Sequence, residues 1–282
     1  MGWAGVRLDP YLAFVMPALL LVGVLYVAPL GWLAYVSLGG PEDLTLKWYE
    51  QVATSGAIHR MLWTTARIVT ITTAISLVLG YLVAYAMLLM GARARLLLTL
   101  CVLVPFWLSV LVRAFAWLIL LRNNGLLNEA LLSAQLVDEP VELVRNELGV
   151  VIGMVHYMIP YAVFPLYGAM RSIDPSLLMA ARSAGASPLR TFIDVLLPLT
   201  APAILGAGLL VFVFGLGFFV TPAILGGGRI VMISEYASLM VLQSARWGLA
   251  GALSVLLLLC TLALIWLVGR AVNLRRILGA GQ

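Results

Sequence analysis

The sequence predicts an all-α integral membrane protein with six transmembrane helices, and three observations carry that reading: its composition, its charge-free intervals and the placing of its basic residues. Of 282 residues, 63% are hydrophobic and 10% charged, whereas a soluble domain carries about 25% charged residues. Seventeen basic and twelve acidic side chains cannot cover a water-soluble fold of this size, so the excess apolar surface must face lipid. The same arithmetic excludes a disordered or collagen-like chain. It also excludes a nucleic-acid binder, because the net charge of +5 is spread without a basic cluster. Cys101 and Cys260 lie inside apolar runs and read as small buried hydrophobes rather than a disulfide or metal site.

A membrane-spanning helix needs roughly 20 apolar residues. Charge-free stretches of that order predict spans at 11–38, 61–90, 96–121, 147–170, 199–224 and 247–269 within a single transmembrane domain over 1–282. The third is read as one helix that continues past Arg113. The runs are too long and unbroken for the alternating strands of a β-barrel. The first exceeds a signal-peptide core and is expected to stay as helix one, with Pro17 and Pro29 inside it. Placing both termini in the cytoplasm puts nine basic residues (Arg7, Arg93, Arg95, Arg171, Arg182, Arg190, Arg270, Arg275 and Arg276) against three acids inside, and six basic against nine acidic residues outside.

The longest inner loop, 171–198, reads as two short helices. Asp174-Pro175 and Ser187-Pro188 are each an N-cap followed by proline at the first helical position, and Gly185 falls where the first helix must stop. Leu189, Phe192, Ile193 and Leu196 recur at helical spacing as an apolar stripe. That stripe either packs against the protein's own span ends and the lipid surface, or docks into a groove on a soluble partner.

Met179-Ala180-Ala181, three residues, Gly185, nine residues and Val195-Leu196-Leu197-Pro198 resemble the "EAA" signature of ATP-binding-cassette importer permeases, Glu-Ala-Ala, x3, Gly, x9, Ile-x-Leu-Pro. The spacing is kept in full, with Met179 in place of glutamate and Val195 in place of isoleucine. The resemblance implies a type I importer permease fold. It also implies a coupling loop, here Met179, Ala180, Ala181, Gly185, Leu189, Phe192, Ile193 and Pro198, that seats on a cytoplasmic ATPase. Met179 removes a charge at that surface and leaves apolar thioether packing in its place. Stretches over roughly 60–270 are similar to the spermidine/putrescine-type branch: Pro105-Phe106-Trp107-Leu108-Ser109 with Arg113 and Ala116-Trp117, Asn124-Gly125-Leu126-Leu127-Asn128, and Phe219-Val220-Thr221-Pro222. That branch also includes permeases for opines, aminoethylphosphonate and similar small polar solutes.

A path for such a solute needs polar groups facing an interior cavity. Arg113, about 17 residues into its span at about 1.5 Å per residue, falls in the outer half of the membrane, where it either lines the path or snorkels to the interface. Arg67 lies nearer its span end and reads as snorkelling. Trp107, Trp117, Phe218, Phe219 and Thr221 complete the candidate path. Phe218 stands where related sequences can carry an acid, which together with two intramembrane arginines disfavours a polycation; Glu235 is an outer-loop candidate for a cation contact. Residues 122–146 read as a short interfacial helix with an acidic tail that could receive a binding protein.

No catalytic, cofactor or metal residues are expected. His59 and His156 lack partners at ligand spacing, and no phosphate-cradling Gly-x4-Gly-Lys loop occurs. ATP and Mg would then belong to a partner ATPase dimer. The remaining expected partners are a second permease forming a heterodimer, a periplasmic solute-binding protein and the lipid of a bacterial inner membrane. The rival readings are an ion-gradient-driven secondary transporter, disfavoured because no acid falls inside a span, and a non-transporting scaffold.

Overall fold

The computed structural model describes residues 10–40 and 44–279, with side chains over 14–40 and 44–270. Arg7, Asp9, Glu42, Asp43 and the side chains of Arg275 and Arg276, which enter the charge count, lie outside the described residues. The chain runs through α1 (Pro10–Ser37), α2 (Lys47–Thr54), α3 (Gly56–Leu89), α4 (Ala92–Trp107), α5 (Val110–Leu121), α6 (Leu126–Ser133), α7 (Glu147–Arg171), α8 (Pro175–Ser183) and α9 (Pro188–Arg190). A π-helical segment (Thr191–Leu196) follows, then α10 (Leu197–Leu216), α11 (Val220–Gly226), α12 (Ile233–Leu242) and α13 (Trp247–Gly279). Among the described residues no strand forms, and six segments are long and apolar enough to cross a membrane.

Two compact units result, one from residues 1–55 and 237–256, the other from 56–236 and 257–282. In the smaller unit α1 is apolar all round and keeps no buried residue in its most apolar stretch, the pattern of a helix immersed in lipid. Its C-terminal end is tied down: the Ser37 hydroxyl bonds Tyr49 of α2 at 2.8 Å. Gly251 of α13 packs closely on the Leu33 carbonyl and Ser37.

The larger unit is built on α3, α7 and α10. Their facing residues form two apolar clusters. One gathers Ile68, Val69, Val150 and Met154 together with Leu225 of α11, the other Tyr81, Ala84, Met158, Ala162, Leu166 and Val211. Without a hydrophobic drive between helices in lipid, close approach of small residues does much of the packing. Gly80 shows this: a Cβ there would lie 2.6 Å from the Ala162 Cβ and 3.3 Å from the Val163 nitrogen. Pro160 and Pro165 sit inside α7, which tolerates them because neighbouring elements surround it.

Four readings need correction. The third span is not one helix over 96–121. After Pro105 the residues Leu108 and Ser109 take extended backbone (ψ 145° and 139°), which separates α4 from α5. The span at 199–224 likewise breaks over Gly217 to Phe219, between α10 and α11. Cys101 and Cys260 are exposed rather than buried. Arg67 pairs with Glu147, so its charge is met across the α3–α7 contact rather than by reaching the interface alone.

Candidate functional site

The 171–198 loop folds as its sequence dictates. Asp174 Oδ1 accepts the Ser176 N–H at 2.8 Å and Ser187 Oγ accepts the Arg190 N–H at 3.3 Å, closing the two helix N-termini. The Ser176 bonds hold the Asp174 carboxyl below its ordinary value of 3.8. Gly185 adopts φ +88° and ends α8: its N–H donates to Arg182 and that of Ala186 to Ala181, the paired bonds of a Schellman turn. A Cβ at Gly185 would meet nothing, so the requirement for glycine there is one of backbone angle alone.

The apolar stripe is divided between two tasks. Leu196 is buried, and Phe192 packs edge-on against Tyr81 and Tyr85 of α3, with centroids at 5.7 and 5.0 Å. Leu189 and Ile193, on the other side, are 66% and 48% exposed, and Met179 on α8 is exposed beside Ala180. Ala181 is half-buried and Pro198 lies exposed in the first turn of α10. The stretch that carries this anchor and leads into the span is π-helical, with the Leu197 N–H reaching back to the Phe192 carbonyl. Thr200 then bonds the Tyr81 hydroxyl at 3.0 Å in a buried contact, joining α10 to α3.

The break at Leu108 and Ser109 puts Arg113 in the first turn of α5, where its N–H bonds the Ser109 carbonyl at 3.1 Å. Its side chain is 7% exposed and does not snorkel outward. The guanidinium lies over Tyr157 of α7, 4.2 Å from the ring centroid, while Nε and Nη1 have no hydrogen-bond partner. A cation at a helix N-terminus opposes the helix dipole, and the Tyr157 face offers it a favourable contact. Aromatic rings continue from there. Tyr157 meets Phe218 at 4.5 Å and stacks with Tyr161 at 6.0 Å, and Tyr161 meets Phe214 at 4.7 Å. One turn beyond Arg113, Trp117 donates from Nε1 to His156 Nδ1 at 3.1 Å.

Of the candidate path residues, Arg113, Trp117 and Phe218 therefore come together. Thr221 is buried against α7, its methyl 2.7 Å from where a Gly153 Cβ would be. Trp107 is 79% exposed and Phe219 is also exposed, outside this group. Tyr157, Tyr161 and Phe214 escaped the sequence reading, which weighed His156 only as a metal ligand, although Tyr157 and Tyr161 share a helix face at i, i+4 spacing. Also unforeseen is a cavity of about 660 Å³ lined by Arg122, Asn123, Asn124, Arg145 and Arg229, with Glu142 as its one carboxylate. It opens about 14 Å along α5 from Arg113 at 1.5 Å per residue. In the 225–246 segment Glu235 is buried with Oε2 unpartnered, and desolvation raises its carboxyl above the ordinary value, offset in part by the Met232 backbone. Among the described residues no group of His, Cys, Asp and Glu could hold a metal ion.

Residues 76–274 match the family described as the binding-protein-dependent transport system inner membrane component. The chain belongs to that family. It is 34% identical over 206 residues to the spermidine/putrescine transport system permease protein PotB of Escherichia coli (strain K12), a match covering 72% of this chain and 75% of the relative. PotB of Haemophilus influenzae is 32% identical over 212 residues, covering 75% and 74%. The fold is that of a chain from a bacterial ABC transporter that imports the acidic polysaccharide alginate, at TM-score 0.75 and 17% identity, covering 93% of this chain and 94% of that one. A chain of the MetNI methionine ABC transporter matches at TM-score 0.58 and 15% identity, covering 77% and 94%. The chain is thus a multi-pass inner-membrane permease subunit of an ATP-binding-cassette importer, the class its 171–198 motif implies, and a transport component rather than a catalytic one. The secondary-transporter and scaffold readings give way.

Proposed function

We propose that this permease works as one half of a heterodimeric pair, with both termini cytoplasmic. It would be driven by an ATPase dimer that binds ATP and Mg, and supplied by a periplasmic solute-binding protein. The observation that carries the coupling assignment is the divided stripe: Phe192 anchors the loop to α3 and Leu196 is buried, while Leu189, Ile193 and Met179 stay uncovered on a capped, closed pair of helices. Such an element moves as a body when a partner grips its free face. Met179, Ala180, Ala181, Gly185 and Pro198 set its shape, and ATP-driven closure of the ATPases biases the spans between outward and inward access.

The solute is a small polar organic molecule of the polyamine, opine or aminoethylphosphonate kind. Its path runs past Arg113, Trp117, Phe218 and Thr221, with Trp107 and Phe219 at the margin toward the partner permease. The buried, unpaired guanidinium supports this reading, since an intramembrane charge without a fixed partner is retained at a cost.

The deciding experiment reconstitutes the importer with its ATPases and binding protein and compares wild type with Gly185→Ile. A β-branched residue at φ +88° costs on the order of 1–3 kcal/mol, so the loop is expected to lose its shape and ATP-driven uptake to fall about tenfold or more, with the chain still inserted. Unchanged uptake would sink the coupling assignment.

A further inference from the structure

The sequence carries two cation–tryptophan dipeptides, Lys47-Trp48 and Arg246-Trp247, at opposite ends of the chain. Within the smaller unit the fold brings both to one pocket of about 570 Å³, where α1 ends and α13 begins, with Trp32 of α1 and the Gly40 backbone in its wall. Both cations face one ring: Lys47 Nζ lies 4.8 Å and Arg246 Cζ 5.7 Å from the Trp48 centroid. Trp48 is held in place, because Gly248 lies so close to its indole that a Cβ there would overlap it. Arg246 is steadied by a 3.0 Å bond to Gln51. Among the described residues the lining contains two cations and no carboxylate; Glu50, a turn further along α2, is not part of it.

Two spans end at this pocket, so it lies where hydrocarbon gives way to headgroups. Tryptophan and basic side chains are favoured at that depth. Trp32 and Trp247 are 63% and 60% exposed, and the apolar side chains of α1 are exposed along its most apolar stretch, which offers acyl chains a surface continuous with the pocket.

We infer that this pocket binds the phosphate of a membrane glycerophospholipid. Lys47 and Arg246 donate to the phosphate oxygens, and Trp32 and Trp247 flank the glycerol and the first acyl carbons.

The test takes the assembled importer in mild detergent and reads retained adducts by native mass spectrometry, with phosphatidylglycerol, diacylglycerol of the same chains and inorganic phosphate as probes. Phosphatidylglycerol is expected to stay bound, diacylglycerol to wash off, and inorganic phosphate to leave the lipid in place. K47Q and R246Q should each lower phosphatidylglycerol occupancy about fivefold, the usual worth of one interfacial cation near an anionic headgroup. R60Q, an outer cation outside the pocket, should leave it unchanged. Both cations are exposed, so the fold survives their loss. K47R/R246K, which keeps the charge, should retain the adduct and so separates a lost site from a lost fold. Equal retention of diacylglycerol, displacement by inorganic phosphate, full occupancy in K47Q/R246Q, or an adduct seen on the isolated chain but lost on assembly would each overturn the inference.

Discussion

In the 171–198 loop each helix end is closed by a neighbour in sequence: Asp174 by Ser176, Ser187 by Arg190, and the end of α8 by the Gly185 turn. Around Arg113 nothing is closed locally. Its guanidinium lies over Tyr157 on another helix, and two of its nitrogens have no partner. The loop is exposed yet satisfied, while the cluster is buried yet unsatisfied. On the proposed function the contrast has a reason: an element to be gripped and moved by another protein would gain from a shape fixed by its own sequence, and a charge that is to meet a passing solute would need its bonds still free.

The largest test of that contrast is Arg113→Met. If the guanidinium is held at a cost, replacing it with an apolar chain of similar length should stabilise the chain in detergent by about 1–4 kcal/mol, as seen when buried charges are exchanged for hydrophobes. Uptake should fall at the same time, with Arg113→Lys intermediate. A destabilised, fully active Met variant in thermal unfolding and uptake assays would break the comparison. Next, Phe192→Ala should remove about 2 kcal/mol of packing against Tyr81 and Tyr85. ATP hydrolysis would then proceed without uptake, because the loop would no longer pull on α3.

A smaller effect is expected from Leu189→Ala with Ile193→Ala. Both side chains are exposed, so thermal stability of the isolated chain should change by less than about 0.5 kcal/mol. Association with the ATPase, measured by co-purification, should weaken clearly. The smallest concerns Asp174. Its carboxyl is held below the ordinary value by Ser176, so the cap contributes above the unfolded carboxylate range and is lost as pH falls through the lowered value. Asp174→Asn should therefore flatten the acid side of the loop's stability profile, followed by hydrogen exchange of the Ser176 amide, and leave neutral pH nearly untouched.

This division also explains what was legible in the sequence. The α8 and α9 starts, the Gly185 stop and the apolar lengths of the spans follow from rules acting within a few residues. The breaks at Leu108 and Gly217 were missed because each sits inside an uninterrupted apolar run, where hydropathy carries no information on backbone direction. The Arg67–Glu147 pair, the Tyr157 face under Arg113 and the three arginines of the cavity depend on which helices become neighbours. No local pattern encodes that. The whole stripe was readable as apolar, but which half would be covered was decided by the aromatic residues of α3.

The π-helical segment at Thr191–Leu196 has a consequence for how this loop tolerates change in length. A π-turn amounts to one residue more than an α-helix would use, and each α-helical residue advances the chain by about 100° around the axis. Deleting one residue of the π-turn would leave a uniform α-helix with its two flanks still in phase, whereas deleting or inserting one residue in an α-helical stretch would swing one flank by that angle. The segment thus takes up one residue of length without turning the exposed face relative to the span. Point substitutions and loss of that extra residue leave the phase alone, whereas a further insertion resets it.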